Sequence, residues 1–467
     1  MGERIPPAFR RSVALFTLCL TQAMNSSDVT IVNVALPEMR LALGFGTSTV
    51  SWVLNGYLVA LTATLLIAGR LCDVFGPRRI FLLGVTVFVV ASASCGLSAS
   101  AAGLVLSRVG QGFGASLATA VELAILARMY TREGARAKAL SIITVGSILG
   151  SSFGLVVGGA ITHWMGWRWI FGINVALGLA VLVLGRVFLT ADAVPARREI
   201  GVVPGVFVAG GLAAWVTAIV SVGESGRPST FTGIMAVAGT LSLAGFALAQ
   251  RIGRAELVPL WMLRSRPIIG SGVVLGIASA CLLGQFFLQT QYLQSVLHYD
   301  SWDTGLAFIP INVAIGLVSL GLARPLIDRF GAGRVVVVAM LVLAAGLAVY
   351  ARQPSSGLSY WVDVLPPMLL IGFGGGLSTV AATVAALAGA EPHNAGVVSG
   401  LIKFLQMGGG IVGIAVFASV VAIAGIMAVT ASAGPATFAA GLHAAFLTAS
   451  GLALAGATIA GFAMRRA

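Results

Sequence analysis

The sequence predicts an all-α polytopic membrane protein built from two related halves. Three observations carry this. Of 467 residues, 58% are hydrophobic and only 9% are charged, with a mean hydropathy of +1.00, whereas soluble globular chains carry roughly 25% charged residues. Apolar segments long enough to cross a bilayer follow one another along almost the whole chain. A short charged stretch, Gly69–Arg79 (GRLCDVFGPRR), recurs as Arg324–Arg334 (RPLIDRFGAGR). Setting Asp73 on Asp328 also sets Phe75 on Phe330, Gly76 on Gly331 and Arg79 on Arg334, a shift of 255 residues.

Fourteen apolar spans fall near residues 12–36, 48–68, 80–99, 103–127, 139–162, 168–189, 202–222, 230–250, 268–295, 304–323, 334–351, 361–388, 398–424 and 440–463. At about 33 residues per span, no connection has room for a soluble domain. With the N-terminus inside, 22 of the 28 Lys and Arg residues fall in cytoplasmic segments and 4 in outer loops, while Arg108 and Lys403 stay within spans. That asymmetry places both termini in the cytoplasm. It also makes the net charge of +13 a membrane address and not a nucleic-acid footprint. Met1–Arg11 is basic, but a full span without a small-residue cleavage pattern follows it, so no cleaved signal peptide is expected. Cys19, Cys72, Cys95 and Cys281 have no metal-ligand spacing and read as small apolar packing residues. There is no GxxxxGK[ST] loop, no His/Asp/Glu cluster with metal-ligand spacing and no G-x-S-x-G turn. ATP, a metal, another cofactor and an enzymatic role are therefore not expected.

Span 1 holds Asp28, roughly 13 Å below Pro37 at ~1.5 Å per residue, with Thr21 and Asn25 on the same helix face. A charge at that depth costs at least ~2.5 kcal/mol on insertion scales, so Asp28 is a functional candidate; the alternative is an acid held by a structural partner. Between spans 2 and 3, Gly69 and Gly76 let two helix ends approach, and Pro77 suits a first helical turn. Asp73 can accept from backbone N–H groups of a neighbouring helix start, while Arg78 and Arg79 hold the cytoplasmic face. Asp328, Gly331 and Arg334 repeat this gating loop in the second half.

In span 4, Arg108, Gln111, Ala115, Thr119 and Glu122 run down one face. Such a stripe should face protein or water. Arg108 lies at a depth comparable to Asp28, so the two are expected to meet. Glu122 reads as a cation or proton site, or as an interfacial acid paired with Arg128. In span 5, Gly146, Gly150, Gly154 and Gly158 recur every four residues, with Gly159 adjoining, as a smooth ridge for close packing. The tryptophans of HWMGWRWIFGIN, residues 163–174, suit an outer interfacial belt.

Basic linkers at 191–200 and 251–266 flank spans 7 and 8, which read as an insertion. The organisation is therefore 1–190, 191–266 and 267–467. In span 9, Gln285, Gln289 and Tyr292 share one face. They suit a cavity wall that hydrogen-bonds varied substrates, or interhelical hydrogen bonding. Span 12 carries GFGGG at Gly372–Gly376, echoing GFG at Gly112–Gly114 with a shift of 260. In span 13, Lys403 reads as a snorkelling cation, and Gly409 and Gly413 permit close packing.

These motifs resemble those of the major facilitator superfamily, and specifically its fourteen-span drug:proton antiporter branch, over nearly the whole chain. The first cytoplasmic loop is similar to the superfamily's signature loop through Gly69, Asp73, Gly76, Arg78 and Arg79, and departs from it at Val74 and Pro77. Span 1 matches D-x-T-I-V-N-V-A-L-P at Asp28–Pro37, and span 4 matches R-x-x-Q-G-x-G at Arg108–Gly114, whose arginine is implicated in proton coupling in that family. Trp167–Asn174 and Tyr292–Gln294 match two further runs. The antiporter motif G-P-x-x-G-G lacks its proline, since Leu155 follows Gly154, and Leu405 stands where many relatives carry arginine. The resemblance implies a major facilitator fold: 14 transmembrane helices as two six-helix bundles plus two extra helices, rocking around a central cavity. It implies a proton-coupled secondary transporter in a bacterial-type plasma (inner) membrane, exporting lipophilic, cationic drugs or toxic compounds. Asp28 and Arg108 would couple protons. Asn25, Gln111, Thr119, Glu122, Gln285, Gln289 and Tyr292 would line the substrate path. An exporter of an endogenous metabolite or lipid, and a non-transporting membrane sensor or scaffold, are the competing readings.

Overall fold

A computed structural model describes residues 6–44, 47–130, 133–190, 202–225, 228–252, 262, 265–295, 297–352, 359–388, 395–429 and 435–464. The described residues are helical with short connections and contain no β-strand. In chain order the helices are α1 (Pro7–Leu43), α2 (Thr47–Phe75), α3 (Pro77–Gly96), α4 (Ala101–Met129), α5 (Glu133–Met165), α6 (Trp169–Phe188), α7 (Val202–Ser225), α8 (Thr230–Ile252) and α9 (Arg266–Ser295). The run Ser301–Phe330, here α10, contains a π-helical turn at Val318–Leu322. Then come α11 (Ala332–Tyr350), α12 (Leu365–Ala388, entered through a π-helical turn at Tyr360–Val364), α13 (Ala395–Val429) and α14 (Pro435–Ala463).

Among the described residues, 11 helical stretches are long and apolar enough to cross a membrane. The chain is a multi-pass membrane protein. Helices α1, α2 and α5 are not among those stretches, although the apolar segment Trp52–Leu65 lies within α2. In α1 the reason is chemical: Thr17, Thr21, Asn25, Ser27, Asp28, Thr30 and Asn33 are buried polar residues that lower its apolarity.

The chain divides into two compact units. The first comprises Met1–Phe45, Gly56–Ala209 and Phe246–Leu257, and the second Gly46–Asn55, Gly210–Gly245 and Val258–Ala467. In the first unit α1 packs on α5 and α6, and α3 packs on α4 and α6. In the second, α9 packs on α12, α13 and α14, and α11 packs on α12 and α14. Ser419 Oγ on α13 donates to the Ile219 carbonyl of α7 at 2.8 Å, which ties part of the inserted helices to the second unit.

The internal repeat extends from sequence to packing. A Cβ on Gly114 would lie 2.5 Å from the Phe88 nitrogen and 2.7 Å from the Gly84 oxygen. A Cβ on Gly374 would lie 2.5 Å from the Leu343 nitrogen and 2.7 Å from the Ala339 oxygen. Phe88 and Leu343, like Gly84 and Ala339, are separated by the same 255 residues as the charged loops. The α3–α4 and α11–α12 crossings are thus one design used twice: small residues let two backbones touch.

The loop at the centre of the repeat is shorter than the sequence implied. Helix α2 continues through Gly69–Phe75, so Gly76 alone separates it from α3. Gly69 lies inside the helix, and a Cβ there would meet nothing within 4 Å, so its expected role in close approach is not seen. Gly76 has φ 90° and ψ 146°, and Gly331 repeats it with φ 81° and ψ 146°. Each donates its N–H back at 2.9 Å, to Cys72 and Ile327 respectively, and so closes the preceding helix. Side chains avoid this backbone region. Gly76→Ala is therefore expected to lower folding stability by about 1–3 kcal/mol, read as a fall in thermal midpoint, and Gly331→Ala should match it. Pro77 opens α3 as the sequence predicts.

Candidate functional site

Asp28 and Arg108 meet. Asp28, midway along α1, is 0% exposed, and Arg108, in the second turn of α4, is 1% exposed. Arg108 Nη1 donates to Asp28 Oδ2 at 2.5 Å. The same nitrogen lies 2.8 Å from Gln111 Oε1, one helical turn away. The guanidinium carbon stands 4.4 Å from the centroid of the Tyr57 ring of α2. The other carboxylate oxygen, Asp28 Oδ1, accepts from Asn174 Nδ2 of α6 at 2.6 Å and from Gln111 Nε2 at 3.3 Å. Gln111 Nε2 also donates to Ser92 Oγ at 2.7 Å, and the Cys95 thiol donates to Gln111 Oε1 at 3.3 Å. Helices α1, α2, α3, α4 and α6 therefore all contribute to one buried polar node. Burying two charges costs several kcal/mol per ion unless their hydrogen-bonding groups are met. Here a cation, two amides and an aromatic face meet them.

The second unit carries no such node at the matching place. A Cβ on Gly154 would lie 2.7 Å from the Ser27 oxygen, and one on Gly413 would lie 2.7 Å from the Ala280 oxygen, which aligns Ser27 with Ala280 and so Asp28 with Cys281. The 260-residue shift that relates Gly112 to Gly372 places Met368 opposite Arg108 in the repeat. Cys281 and Met368 are both fully buried. The repeat preserves the helix crossings and not the ion pair.

The other predicted residues fall in separate places. Asn25 Nδ2 donates to Thr119 Oγ1 at 3.1 Å, linking α1 to α4 one turn from the pair. Glu122 is 6% exposed, and the side chain of Arg128 lies outside the described residues. Gln285, Gln289 and Tyr292 line one buried face of α9. None of the four amide atoms of the two glutamines has a hydrogen-bond partner among the described residues. Gly150, Gly154 and Gly158 seat α5 on α1: their Cβ positions would collide with Ala23, with Ser27 and Thr30, and with Ile31 respectively. Gly159 is buried beside them. Leu155 is 1% exposed and α5 runs unbroken through it. Leu405 packs over Gly272 of α9. Lys403 Nζ reaches Gln406 Oε1 at 3.4 Å.

Arg78, in the first charged loop, donates from Nη2 to the Arg186 carbonyl at 2.5 Å, and Arg10 of α1 donates from Nε to the Phe188 carbonyl at 3.1 Å. Both cations cap the C-terminal, negative end of α6. The Asp73 side chain lies outside the described residues. Arg79 and Arg334 are exposed. The Arg324–Asp328 pair, 3.7 Å apart, is largely exposed and adds little stability.

Sequence reasoning did not single out Tyr57, Ser92 or Asn174, and it read Cys95 as a packing residue only, whereas its thiol donates to Gln111. Asn174 had a legible signal, as the one amide in the otherwise apolar helix α6. The aromatic residues around it in the WRWIFGIN run drew the interpretation to the interface.

Fold and node together define a helical membrane protein of the transporter class. The chain belongs to the Major Facilitator Superfamily, whose family model matches residues 18–414. It is 34% identical over 417 residues to the puromycin resistance protein pur8 of Streptomyces alboniger, covering 89% of this chain and 82% of that protein. It is 33% identical to the lincomycin resistance protein of Streptomyces lincolnensis, with 88% and 84% covered, and 30% identical to the cephamycin export protein CmcT of Amycolatopsis lactamdurans, with 88% and 85% covered. Among solved structures, a peptide transporter POT in complex with sulfate superimposes with a TM-score of 0.70 at 16% identity, covering 99% of both chains. A bacterial homolog of the human lysosomal transporter Spinster gives 0.68 at 16% identity, covering 99% and 98%. At that identity these two show a shared fold alone.

Proposed function

We propose that this protein is a proton-coupled exporter of lipophilic, cationic drug-like compounds, of the fourteen-span drug:proton antiporter branch, acting by alternating access. The observation that carries this reading is the buried Asp28–Arg108 pair. A carboxylate sealed against a cation inside a membrane protein is costly. Its use is that taking up a proton breaks the pair. Protonation of Asp28 from the outer side releases Arg108 and favours return to the inward-open state; loss of the proton inside restores the pair and favours substrate loading. The names of the relatives, puromycin resistance, lincomycin resistance and cephamycin export, support an export direction. The inner-membrane location and cytoplasmic termini rest on the distribution of Lys and Arg.

Asn25, Gln111, Thr119 and Glu122 line the substrate path in the N-terminal half in this reading, and Gln285, Gln289 and Tyr292 line it in the other. Buried amides without partners cost about 1–3 kcal/mol each, and a substrate's polar groups would meet them. Glu122 supplies the attraction for cations. Glu122→Gln is expected to weaken ethidium export by about fivefold to tenfold, as loss of one partly desolvated charge pair would, while export of a neutral substrate is spared. Ethidium efflux from loaded cells measures this; equal loss for charged and neutral substrates contradicts the assignment. The unpartnered glutamines also fit a second reading, export of an uncharged polar metabolite made by the cell. The experiment that separates the two compares proton-driven uptake of ethidium and of an uncharged polar solute, such as a neutral nucleoside, into inside-out vesicles.

A further inference from the structure

We propose that Asn174 is a positioning residue of the coupling site: it directs the proton to Oδ2 of Asp28, so that protonating the acid and releasing Arg108 become one event. This rests on the reading of Asp28 as the proton carrier. The two carboxylate oxygens are not equivalent. Oδ1 faces two neutral amide donors, Asn174 Nδ2 at 2.6 Å and Gln111 Nε2 at 3.3 Å, whereas Oδ2 faces the Arg108 cation at 2.5 Å. An amide nitrogen can only donate. While Asn174 and Gln111 point at Oδ1, that oxygen stays an acceptor, as the carbonyl oxygen of a protonated acid does. The proton arriving from water then forms its O–H bond at Oδ2, which removes the negative charge from the oxygen that Arg108 binds and so releases the guanidinium. It does not become an orphan, since Gln111 Oε1 at 2.8 Å and the Tyr57 ring at 4.4 Å remain to hold it.

Asn174 is the stronger of the two amide contacts and has few other demands on it. Gln111 is shared among Asp28, Ser92, Cys95 and Arg108. Asn174 is 1% exposed and comes from α6, a helix that packs on both α1 and α3. The titratable and charged groups around Asp28 are Arg108 from α4, the Tyr57 phenol from α2 and the Cys95 thiol from α3. Among the described residues, α5 presents glycine and serine to this part of α1, and α6 presents the Asn174 amide. Without Asn174, Oδ1 is open to the proton, and the acid can be neutralised while Arg108 still holds Oδ2. Protons would then bind without driving the change of state.

The test is pH-difference infrared spectroscopy on the purified full-length protein, which needs no substrate. The carboxyl C=O band that disappears in Asp28→Asn belongs to Asp28. In Asn174→Leu, which keeps the size and removes the donor, this band is expected at higher frequency, because its carbonyl oxygen has lost a hydrogen bond. Asn174→Ala serves if the leucine variant does not fold. An Asp28 band with unchanged frequency in the folded variant overturns the role of Asn174. A wild-type spectrum with no Asp28-dependent band at any pH overturns the coupling reading itself, and with it this proposal.

Discussion

Asp28→Asn and Arg108→Gln are each expected to abolish gradient-driven accumulation of substrate, and the double variant is expected to recover stability without recovering transport. Each single change leaves one charge buried without its counter-ion, since the two partners are 0% and 1% exposed, and breaking such a pair costs about 3–5 kcal/mol. Asp28→Asn is the harsher single change, because the guanidinium of Arg108 cannot shed its charge. The double variant removes both charges and leaves amides that can still bond to Asn174 and Gln111, so most of the lost stability should return. Thermal unfolding of the four proteins in detergent forms a double-mutant cycle. Accumulation should remain at least tenfold below wild type in all three variants. A double variant that is stable and accumulates substrate up its gradient would make the pair a structural device only.

The second large effect is expected at the α1–α5 contact. A Cβ on Gly150 would lie 2.5 Å from the Ala23 Cα and inside contact distance of its carbonyl oxygen, so backbone meets backbone with no side chain to yield. Gly150→Ala must push the two helices apart and should lower stability by at least the 1–3 kcal/mol typical of overpacking. Gly146, one turn away on the same ridge, is the control, because its Cβ would lie 3.2 Å from the Cys19 oxygen. Gly146→Ala should cost a small fraction of that. The thermal midpoints decide it, and equal effects at both glycines would mean that the ridge is not seated as described. The gap at the missing motif proline follows the same logic: Leu155 is buried and α5 is continuous there, so proline at that position would remove one helical hydrogen bond and the leucine contacts together.

The residues that proved easiest to read from sequence are those whose presence in a membrane is costly. Asp28 and Arg108 are charges in apolar spans, and matching their depths was enough to pair them. The α5 glycines were legible because a spacing of four repeats on one helix face. The limits of the charged loop were not legible. Polar residues at a membrane surface fit a loop and a helix end equally well, and α2 carries its helical bonding through Gly69 to Phe75. A glycine inside a helix costs only about 1 kcal/mol relative to alanine, so Gly69 was no boundary. Asn174 escaped for a different reason. Its importance lies in a hydrogen bond to a residue 146 positions away, which no local pattern reports. Nor could the sequence show that the repeat preserves the crossings at Gly114 and Gly374 yet replaces Asp28 by Cys281, since that equivalence depends on which backbones touch.

Proton coupling through Asp28 is tested most directly in inside-out membrane vesicles given an imposed pH gradient, with ethidium and puromycin as probes, for wild type and Asp28→Asn. Wild type is expected to accumulate at least one probe, to alkalinise the acidic lumen in step with that uptake, and to stop when the gradient is collapsed; Asp28→Asn, folded and at equal abundance, is expected to do none of these. Full gradient-driven uptake by Asp28→Asn would contradict the assignment of Asp28 as the proton carrier.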